Sequence, residues 1–380
     1  MRSSVLSTFP GKVEFVPYSG RVFIDKLLSS KGLSADLIGG DMSDFITLKD
    51  ANLLRPFTAD AATLVQREYL PGLLELGQLD NAQYFIPWMQ ATYLMVARRD
   101  ALKYLPKQAQ LDHLSYDQFI DWAANIHAAT GTPKLGFPAG NQGLFHRFIQ
   151  GYLYPSFTGG MISTFRHPRA VVMWQRLRDL WEHCNVHSLS FSSMYEPLQS
   201  GEVWLGWDHS ARLFDILKQN PEDFIVFPAP VGPQGRGFMI ALTGLGLPQK
   251  QPVPETLSLI DFLLSPATQQ KILEISGFFP VIKLRDETLP PRYLQNMSQT
   301  VSQEVADPQA IISVLPYGFD DFSEQFNQIY KNSFTKIVLR HKDIVTVVNE
   351  QTEKLRNLLA YSYATCFPPD PPSLGPCPVY

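Results

Sequence analysis

Cysteine and charge are both scarce in this chain. Only three of its 380 residues are cysteine, too few for the dense disulfide framework of a small secreted domain. Charged residues make up 18%, the formal net charge is −4, and no run of lysine and arginine is present. These values exclude an electrostatic footprint for nucleic acid, so no nucleic-acid partner is expected.

Long apolar runs are absent too. The longest, from Phe238 to Leu247, has about half of the roughly 20 residues that a membrane-spanning helix needs. No basic segment followed by an apolar one opens the chain, so no export signal is visible. Hydrophobic residues nevertheless reach 45%, which excludes disorder of the whole chain, and the length predicts two or three domains.

Motifs of common enzyme and cofactor chemistry are also missing. We find no phosphate-binding P-loop, no complete GxGxxG dinucleotide motif and no GxSxG nucleophile elbow. His183, Cys184 and His187 are possible metal ligands, because His183 and His187 are four residues apart and would share one helical face. Asn185 and Ser188 mark a helix end at the same place, so neither a metal nor another cofactor is predicted.

Aromatic residues, by contrast, are abundant, with 25 Phe, 15 Tyr and 6 Trp. Either they fill a large core or they line a cleft. A cleft lined in this way would suit sugars, because flat rings stack on the apolar faces of sugar rings. Trp207 and Asp208 end an apolar strand and supply the ring and the hydroxyl acceptor that a sugar site needs. A core tryptophan beside a capping aspartate remains the alternative. Trp88 and Gln90 form a similar pair, with the same alternative.

Three carboxylates follow predicted strands, where the sites of α/β proteins gather. They are Asp41, Asp44 and Asp208. Asp44 is better explained as a surface or helix-capping residue. Asp41 and Asp208 leave a glycan-acting hydrolase open, because the sequence does not give the separation that acid–base catalysis requires.

Alternating sequence periods predict an α/β fold. Strands are expected at 12–17 and 35–38, and a helix at 21–30. Ser43 is expected to cap the helix that follows the second strand. Parallel strands joined by helical crossovers are the usual outcome of this alternation.

The same strand-and-helix style returns late in the sequence and predicts two discontinuous lobes. The N-terminal lobe is expected to combine 1–95 with 238–285, and the C-terminal lobe 96–237 with 286–361. A chain that crosses between lobes more than once makes a hinge, with a ligand cleft between the lobes.

A proline-rich tail, residues 362–380, follows the second lobe. Cys366 and Cys377 lie close together in it and either form a disulfide or remain free thiols. A disulfide would indicate an oxidising compartment. It would leave Cys184 as an unpaired, buried thiol.

Five parts of the chain share an order and spacing with a known family. They are Pro10–Phe15, Ala35–Ile38 followed by Ala51–Leu54, Phe85–Asp100, Ser200–Trp207 and Gly277–Lys283. Over about residues 9 to 361 the chain resembles the extracellular solute-binding proteins of ABC importers. The similar branch includes the maltose-binding and glycerol-phosphate-binding proteins.

The resemblance implies a two-lobed periplasmic-binding-protein fold of type II and a function of capture without chemistry. It implies a monomer without cofactor, at the periplasm or the extracellular face of the membrane. The protein would close on a sugar or polyol and deliver it to a membrane permease. By position, the ligand-binding residues would be Gly40, Asp41, Ser43, Trp88, Gln90, Phe145, His146, Trp207, Asp208, Arg236, Gly237, Phe279, Tyr317 and Phe319.

The chain departs from the family's pattern at its start. The family normally has an export signal, a first strand and a helix ahead of the position that matches Pro10. Here only Met1 to Phe9 precede it. We therefore expect a truncated chain or a misassigned start, and a binding site that lacks the first strand's contribution.

A phosphorylated ligand such as a glycerol phosphodiester is a third interpretation. It would require arginine or lysine side chains that converge on the phosphate. Only Arg236 and Arg147 are candidates, so the sequence favours a neutral carbohydrate or sugar-like osmolyte.

Overall fold

The structure is a computed structural model in which two compact units are discontinuous in sequence. It describes residues 4–17, 20–29, 35–58, 64, 67–249, 252–284, 290–319 and 322–380. The first unit comprises Met1–Ala91 and Ala241–Pro291, and the second comprises Thr92–Ile240 and Arg292–Tyr380. The chain therefore passes from one unit to the other three times.

The described residues form α-helices throughout both units. In chain order they are Gly20–Ser29 (α1), Met42–Asp50 (α2), Tyr116–Thr130 (α3), Phe145–Phe148 (α4), Tyr154–Thr158 (α5), Pro168–Trp181 (α6), Tyr195–Gln199 (α7), Ser210–Gln219 (α8), Pro254–Leu263 (α9), Pro266–Ser276 (α10), Arg292–Ala306 (α11), Ser323–Phe334 (α12) and Ile344–Ser362 (α13). Two π-helical turns are added, Ile149–Leu153 between α4 and α5, and Thr335–Leu339 after α12. No helix among the described ranges is long and apolar enough to cross a membrane.

The strands of the described residues are mostly short, apart from two long ones. In chain order they are Ile38–Asp41 (β1), Leu54–Arg55 (β2), Gln78–Leu79 (β3), Ala82–Gln83 (β4), Phe85–Arg98 (β5), Leu135–Gly136 (β6), Leu205–His209 (β7), Phe224–Phe227 (β8), Arg236–Pro248 (β9), Phe279–Pro280 (β10) and Ala310–Val314 (β11). The long strands β5 and β9 each begin in one unit and end in the other.

In the first unit, the second half of β9 pairs antiparallel with β1 and β2, and β10 pairs with the start of β5. Phe45 of α2 stacks on Phe85 beneath β9, with ring centroids 4.7 Å apart. Gly246 permits this close packing, because a Cβ atom there would lie 2.6 Å from the Phe45 ring. The glycines of β9 therefore let a helix pack directly on the sheet.

In the second unit, β5 pairs antiparallel with β7 and β8, while β6 runs parallel to β7. The first half of β9 pairs with β11 in parallel. The core around these strands is strongly aromatic. Its largest fully buried side chains include Trp122, Trp174, Trp207, Tyr152, Tyr154, Tyr330, Phe119, Phe137, Phe148 and Phe165. Much of the aromatic surplus is thus core.

Three local predictions near the N terminus were wrong. Residues 12–17 form no strand: they have no sheet neighbour, and Phe15 and Val16 are exposed. The second strand lies at Ile38–Asp41 instead of 35–38, and Asp41 instead of Ser43 occupies the N-cap of α2. The alternating apolar pattern of residues 12–17 therefore did not produce a strand, because no neighbouring strand was available to pair with it.

The proline-rich tail belongs to the second unit. Cys366 and Cys377 form a disulfide, and Cys184 is a free, buried cysteine. The Asp370 side chain is buried and accepts hydrogen bonds from three successive backbone N–H groups, those of residues 161 (3.0 Å), 162 (2.8 Å) and 163 (2.8 Å). The Ser163 hydroxyl donates to the same carboxylate. The tail is therefore an integral part of the unit.

Candidate functional site

A cavity of about 410 Å3 lies wholly within the second unit. It is bordered by the loop 139–143, by the start of α4 and by one face of α12. Residues of both π-helical turns, Ile149 and Thr335, also line it. Such turns replace the regular helical hydrogen-bond pattern and are frequent at functional sites.

The loop of the cavity depends on a close backbone approach. Gly143 donates its N–H to the Gly140 carbonyl, at 2.8 Å. A Cβ atom on Gly143 would overlap the carbonyl of Pro138. The same carbonyl accepts the N–H of Phe145, at 3.1 Å, and so fixes the start of α4. Glycine at 143 therefore lets the loop fold tightly enough to aim α4 at the cavity.

Aromatic rings form one wall of the cavity. Phe145 packs against Phe137, Trp181 and Phe334, with centroid separations of 4.8, 5.4 and 5.0 Å. Phe145 and Phe334 both line the cavity, while Phe137 and Trp181 support them from behind. Phe145 was predicted to bind the ligand, and the structure places it at this wall, largely buried.

Polar side chains line the rest of the cavity. Lys331 and Glu324 of α12 form an ion pair with a separation of 3.0 Å, and Gln328 lies between them in sequence. The spacing 324, 328 and 331 puts all three on one helical face. Sequence reasoning missed these residues, although their period of three to four residues was a readable signal.

His146, another predicted ligand residue, also lines the cavity. Burial first, and then the neighbouring charges of Arg147 and Lys331, lower its pKa to about 2. Its imidazole is therefore neutral and offers one donor and one acceptor nitrogen. Neither nitrogen has a hydrogen-bond partner within the described part of the chain.

Trp207 is completely buried in β7. Tyr93 stacks on its ring with a centroid separation of 4.8 Å and an interplanar angle of 8°. Phe148 and Tyr152 contact the same ring edge-on, at 5.2 and 5.5 Å. These contacts are those of a core tryptophan, the alternative interpretation. In this structure neighbouring rings of the protein occupy the space where a sugar would stack.

Asp208 is equally buried, and backbone N–H groups donate hydrogen bonds to both oxygens of its carboxylate. Oδ2 accepts the N–H of Met194 and Oδ1 accepts that of His209, both at 2.7 Å. Burial raises the Asp208 pKa to about 6, while these two hydrogen bonds and Arg212 oppose the shift. Arg212 forms an ion pair with Oδ1 at 3.6 Å. These partners give Asp208 the role of a structural cap, which was the alternative interpretation.

Arg147 lies on α4 next to His146 and has a different environment. Its Nη1 donates to Oε1 of Gln150 at 3.1 Å, and Gln150 in turn donates to Oδ1 of Asn327 at 3.1 Å. Burial lowers the pKa of Arg147. Among the described residues, no carboxylate lies within 4.0 Å of its guanidinium.

Arg236 and Gly237 occupy the first two positions of β9. Arg236 is buried and forms an ion pair with Asp307 at 3.5 Å, and its Nη2 also donates to the Asp112 carbonyl. Gly237 donates its N–H to the Ser156 hydroxyl at 2.8 Å. Both residues thus have protein partners that fix this end of β9.

A buried carboxylate near Arg236 leads to a pH prediction. Glu304 of α11 is fully buried, and burial raises its pKa to about 8 from 4.5, although Arg236 and the Ala229 N–H oppose the shift. Between about pH 4.5 and 8, Glu304 keeps its proton in the folded state and loses it in the unfolded state. The free energy of unfolding therefore falls as the pH rises through this range. In Glu304→Gln this loss should disappear.

Denaturant unfolding of wild type and Glu304→Gln at pH 5 and pH 9 would measure the effect. We expect the stability difference to move in favour of the variant at the higher pH. Asp208, whose raised pKa contributes a similar trend, is common to both proteins and cancels in the comparison. An equal difference at both pH values would contradict the assignment.

In the first unit, Gly40 and Asp41 end β1, and Ser43 lies exposed in the first turn of α2. The Asp41 N–H donates to Oδ2 of Asp44 at 2.9 Å, which confirms a capping role for Asp44. Partial desolvation of the Asp41 carboxylate by the surrounding protein, and then the Asp44 charge, raise its pKa.

Trp88, Gln90 and Phe279 also belong to the first unit. Gln90 is fully buried, and its side-chain amide donates a hydrogen bond to the Pro280 carbonyl at 3.0 Å. Phe279 is also buried and lies opposite Gln90 in the β5–β10 pair. Among the residues that the structure describes, neither Nε1 of Trp88 nor Oε1 of Gln90, both buried atoms, has a hydrogen-bond partner. Both residues lie on the same face of β5, so this face presents an unpaired donor and an unpaired acceptor.

The last two candidates, Tyr317 and Phe319, contact the tail of the second unit. The ring of Tyr317 lies 4.8 Å from that of Phe367, and burial raises the Tyr317 pKa to about 12. Phe319 is buried and stacks on Phe326 at 4.3 Å. The structure thus places these rings beneath the tail and does not bring them to the cavity lining.

His183 and His187, two of the side chains considered as metal ligands, contact different neighbours. His183 lies against His127, with the two Nδ1 atoms 3.2 Å apart, and His187 Nδ1 contacts Glu202 at 2.5 Å. Across the described ranges, no group of three or more His, Cys, Asp or Glu side chains could hold a metal ion.

Solved structures with the same fold were found by comparison of coordinates. Maltose-bound MalE3 of T. maritima is 18% identical, with a TM-score of 0.66 over 89% of this chain and 87% of that one. UgpB of Mycobacterium tuberculosis, in complex with glycerophosphocholine, is 17% identical, with a TM-score of 0.64 over 89% and 86%. The sugar-binding protein MalE of Xanthomonas citri is 15% identical, with a TM-score of 0.68 over 86% and 84%. These similarities confirm the predicted α/β solute-binding-protein fold.

Sequence comparison supports the same assignment at the level of the family. No curated protein sequence matches the chain. The profile described as "Bacterial extracellular solute-binding protein" matches residues 11–270, well over half of the chain. Proteins of this family bind a substrate without transforming it and act on the extracytoplasmic side of the membrane, so the hydrolase interpretation is set aside. The chain belongs to the bacterial extracellular solute-binding proteins.

Proposed function

We propose that this protein captures a carbohydrate or sugar-like osmolyte and delivers it to the membrane permease of an ABC importer. The observation that carries the proposal is the cavity of the second unit, which combines an aromatic wall with neutral and charged hydrogen-bonding groups. A sugar requires both, because its ring has apolar faces and its rim carries hydroxyl groups.

The dimensions of the cavity fit a small ligand. Small-molecule sites usually measure about 300–1,000 Å3 and are apolar, with a few polar groups that fix orientation. A cavity of about 410 Å3 is near the lower end of that range. Phe145 and Phe334 supply the apolar surface, and His146, Gln328 and Lys331 supply directional hydrogen bonds.

The ligands named for the similar structures support a polyhydroxylated substrate. One neighbour holds maltose and another holds glycerophosphocholine. Both molecules carry more than one hydroxyl group, and only the second carries a phosphate. We therefore retain a sugar or polyol as the proposed ligand class.

In the first unit, we propose ligand-binding roles for Gly40, Asp41, Ser43, Trp88 and Gln90. The unpaired Nε1 of Trp88 and Oε1 of Gln90 support this, because a hydroxyl group could satisfy either atom. We further propose that the protein acts as a monomer, in the periplasm or at the cell surface.

A titration of the full chain with a sugar panel, followed by tryptophan fluorescence or calorimetry, tests the proposal. His146→Phe keeps an aromatic ring of similar size and removes both nitrogens. We expect it to weaken sugar binding about 2- to 10-fold, the usual effect of losing one net hydrogen bond. Gln328→Ala should have an effect of the same size.

Gln325→Ala is the matched control, because Gln325 is exposed on α12 and does not line the cavity. Its affinity should equal that of wild type. The proposed function is wrong if no sugar or polyol shows saturable binding. The cavity assignment is wrong if sugar binds and His146→Phe binds it as tightly as wild type.

A further inference from the structure

Helix α12 has one face toward the cavity and an opposite face in the core of the second unit. Glu324, Gln328 and Lys331 line the cavity. Phe326 and Tyr330 lie on the other side of the helix by their spacing, and both are completely buried. The packing of these two rings therefore sets the position of the polar groups that α12 offers to a ligand.

Aromatic rings surround the ring of Tyr330. Those of Phe326, Tyr154 and Phe165 lie edge-on to it, with centroid separations of 5.3, 5.7 and 5.4 Å. A buried tyrosine hydroxyl also needs a hydrogen-bond partner. Here the partner is the backbone carbonyl of Met161, to which the Tyr330 hydroxyl donates at 2.9 Å. This directional hydrogen bond ties the buried face of α12 to the backbone at Met161.

The backbone at Met161 is held in turn by the proline-rich tail. The Asp370 carboxylate accepts hydrogen bonds from the N–H groups of residues 161, 162 and 163, at 3.0, 2.8 and 2.8 Å. The N–H of Tyr380 donates to the carbonyl of residue 163 at 2.9 Å. The tail thus fastens at two points the same short segment whose carbonyl receives the Tyr330 hydroxyl.

A second connection joins the tail to the buried face of α12 through aromatic rings. Phe367 of the tail contacts Phe319 edge-on, with ring centroids 6.4 Å apart. Phe319 stacks on Phe326 of α12 with a centroid separation of 4.3 Å. The disulfide of the tail closes the loop that carries Phe367, and so reduces the number of alternative conformations that this loop can adopt. Hydrogen bonds and ring contacts therefore both link the tail to α12.

We propose that Tyr330 is a positioning residue for the ligand cavity, and that the tail controls sugar affinity through it. This role rests on the proposed capture of a sugar or polyol in the cavity, to whose lining neither Tyr330 nor the tail contributes. Hydrogen bonds weaken steeply when their distance and angle depart from the preferred values. A small displacement of α12 therefore weakens the hydrogen bonds that Gln328 and Lys331 offer to a sugar.

Calorimetric titration of full-length Tyr330→Phe tests the proposal, because this variant keeps the ring and removes only the hydroxyl. The probes are a panel of sugars and polyols that includes maltose, trehalose, glucose and glycerol. We expect Tyr330→Phe to bind the tightest of them about 2- to 10-fold more weakly than wild type, as for residues that couple to a site without touching its ligand. The titrations are made at a temperature at which circular dichroism shows both proteins to be fully folded.

Tyr154→Phe is the matched control. Tyr154 is a buried tyrosine of the same ring cluster, but its hydroxyl donates to the Phe165 carbonyl and accepts from Nε1 of Trp174, both at 3.2 Å. Its loss should lower the stability of the second unit at least as much as Tyr330→Phe does, because Trp174 also loses a partner. Sugar affinity should nevertheless equal that of wild type, since no hydrogen bond to α12 is removed.

Double variants distinguish positioning of α12 from general loosening of the cavity. In a Gln328→Ala background the effect of Tyr330→Phe on sugar affinity should shrink, because a contact of α12 is already lost. In a His146→Phe background the effect should persist in full, because His146 belongs to α4. Equal effects in the two backgrounds would contradict a role through α12.

Two further variants connect the tail to the effect. Asp370→Asn and Phe367→Leu should each weaken sugar binding, and Asp370→Asn combined with Tyr330→Phe should bind no more weakly than Asp370→Asn alone. If Asp370→Asn does not fold, Phe367→Leu, which leaves the carboxylate in place, decides the question. Unchanged affinity in the folded tail variants would overturn the role of the tail.

The role of Tyr330 is overturned if Tyr330→Phe binds sugar as tightly as wild type, or if Tyr154→Phe weakens binding equally. Saturable binding of sugar by wild type in those cases would leave the proposed function intact. Absence of binding of every sugar and polyol by wild type would instead overturn the proposed function, and the positioning role with it.

Discussion

Trp207→Ala should destabilise the second unit by about 3–5 kcal/mol, the range for removal of a fully buried large aromatic side chain. The ring contributes one stacked and two edge-on aromatic contacts, all of which are lost together. Tyr93 would then face an empty space that its neighbours can only partly fill. Denaturant unfolding, with tyrosine fluorescence and circular dichroism as probes, would measure the change.

Trp204→Ala is the matched control for this variant. Trp204 directly precedes the same strand but is only half-buried. Its Nε1 donates a hydrogen bond to the Gly201 carbonyl at 3.1 Å. Its loss should cost about 1–2 kcal/mol, because less surface leaves water. A loss below about 1 kcal/mol for Trp207→Ala, together with weaker sugar binding, would show that Trp207 serves the ligand and not the core.

Asp370→Ala is expected to have an effect of similar size, about 3–5 kcal/mol, because it removes a buried charge acceptor from donors that stay buried. Three backbone N–H groups and the Ser163 hydroxyl would lose their partner at once. Asp370→Asn should recover only part of the loss, since one of its two groups is itself a donor. Thermal unfolding of the oxidised protein would measure both.

Asp343→Ala is the comparison for Asp370. The Asp343 side chain also caps backbone, accepting the Thr346 N–H at 2.8 Å, but it is exposed. Water can replace it, so its removal should destabilise the protein far less than the removal of Asp370 does. Equal losses in the two variants would contradict the importance that we assign to burial of the Asp370 carboxylate.

Local sequence patterns predicted the features that depend on neighbours in the chain. The helix predicted at 21–30 is present as α1, and the order of five short segments led to the correct family. The close spacing of Cys366 and Cys377 left a disulfide open, and the two cysteines are paired in the structure. Asp44 caps because its partner is three residues away.

Features that depend on distant partners could not be predicted. Trp207 beside Asp208 looks the same in sequence whether the ring faces a ligand or Tyr93, which lies on another strand. Arg236 was the first candidate for an anion site and Arg147 the second, and only the structure shows that Arg236 is paired with Asp307. The difference between them is a matter of which carboxylates are near, and sequence distance does not report that.

The anchoring of Asp370 has a consequence for the order of synthesis. Its backbone donors lie 207 to 209 residues earlier in the chain. At about 5–20 residues per second, the ribosome would add Asp370 roughly 10 to 40 s after those donors. During that interval the turn at 161–163 has no acceptor in place, so the second unit cannot complete its fold as it emerges. Its maturation must therefore be a late event that waits for residues near the far end of the chain.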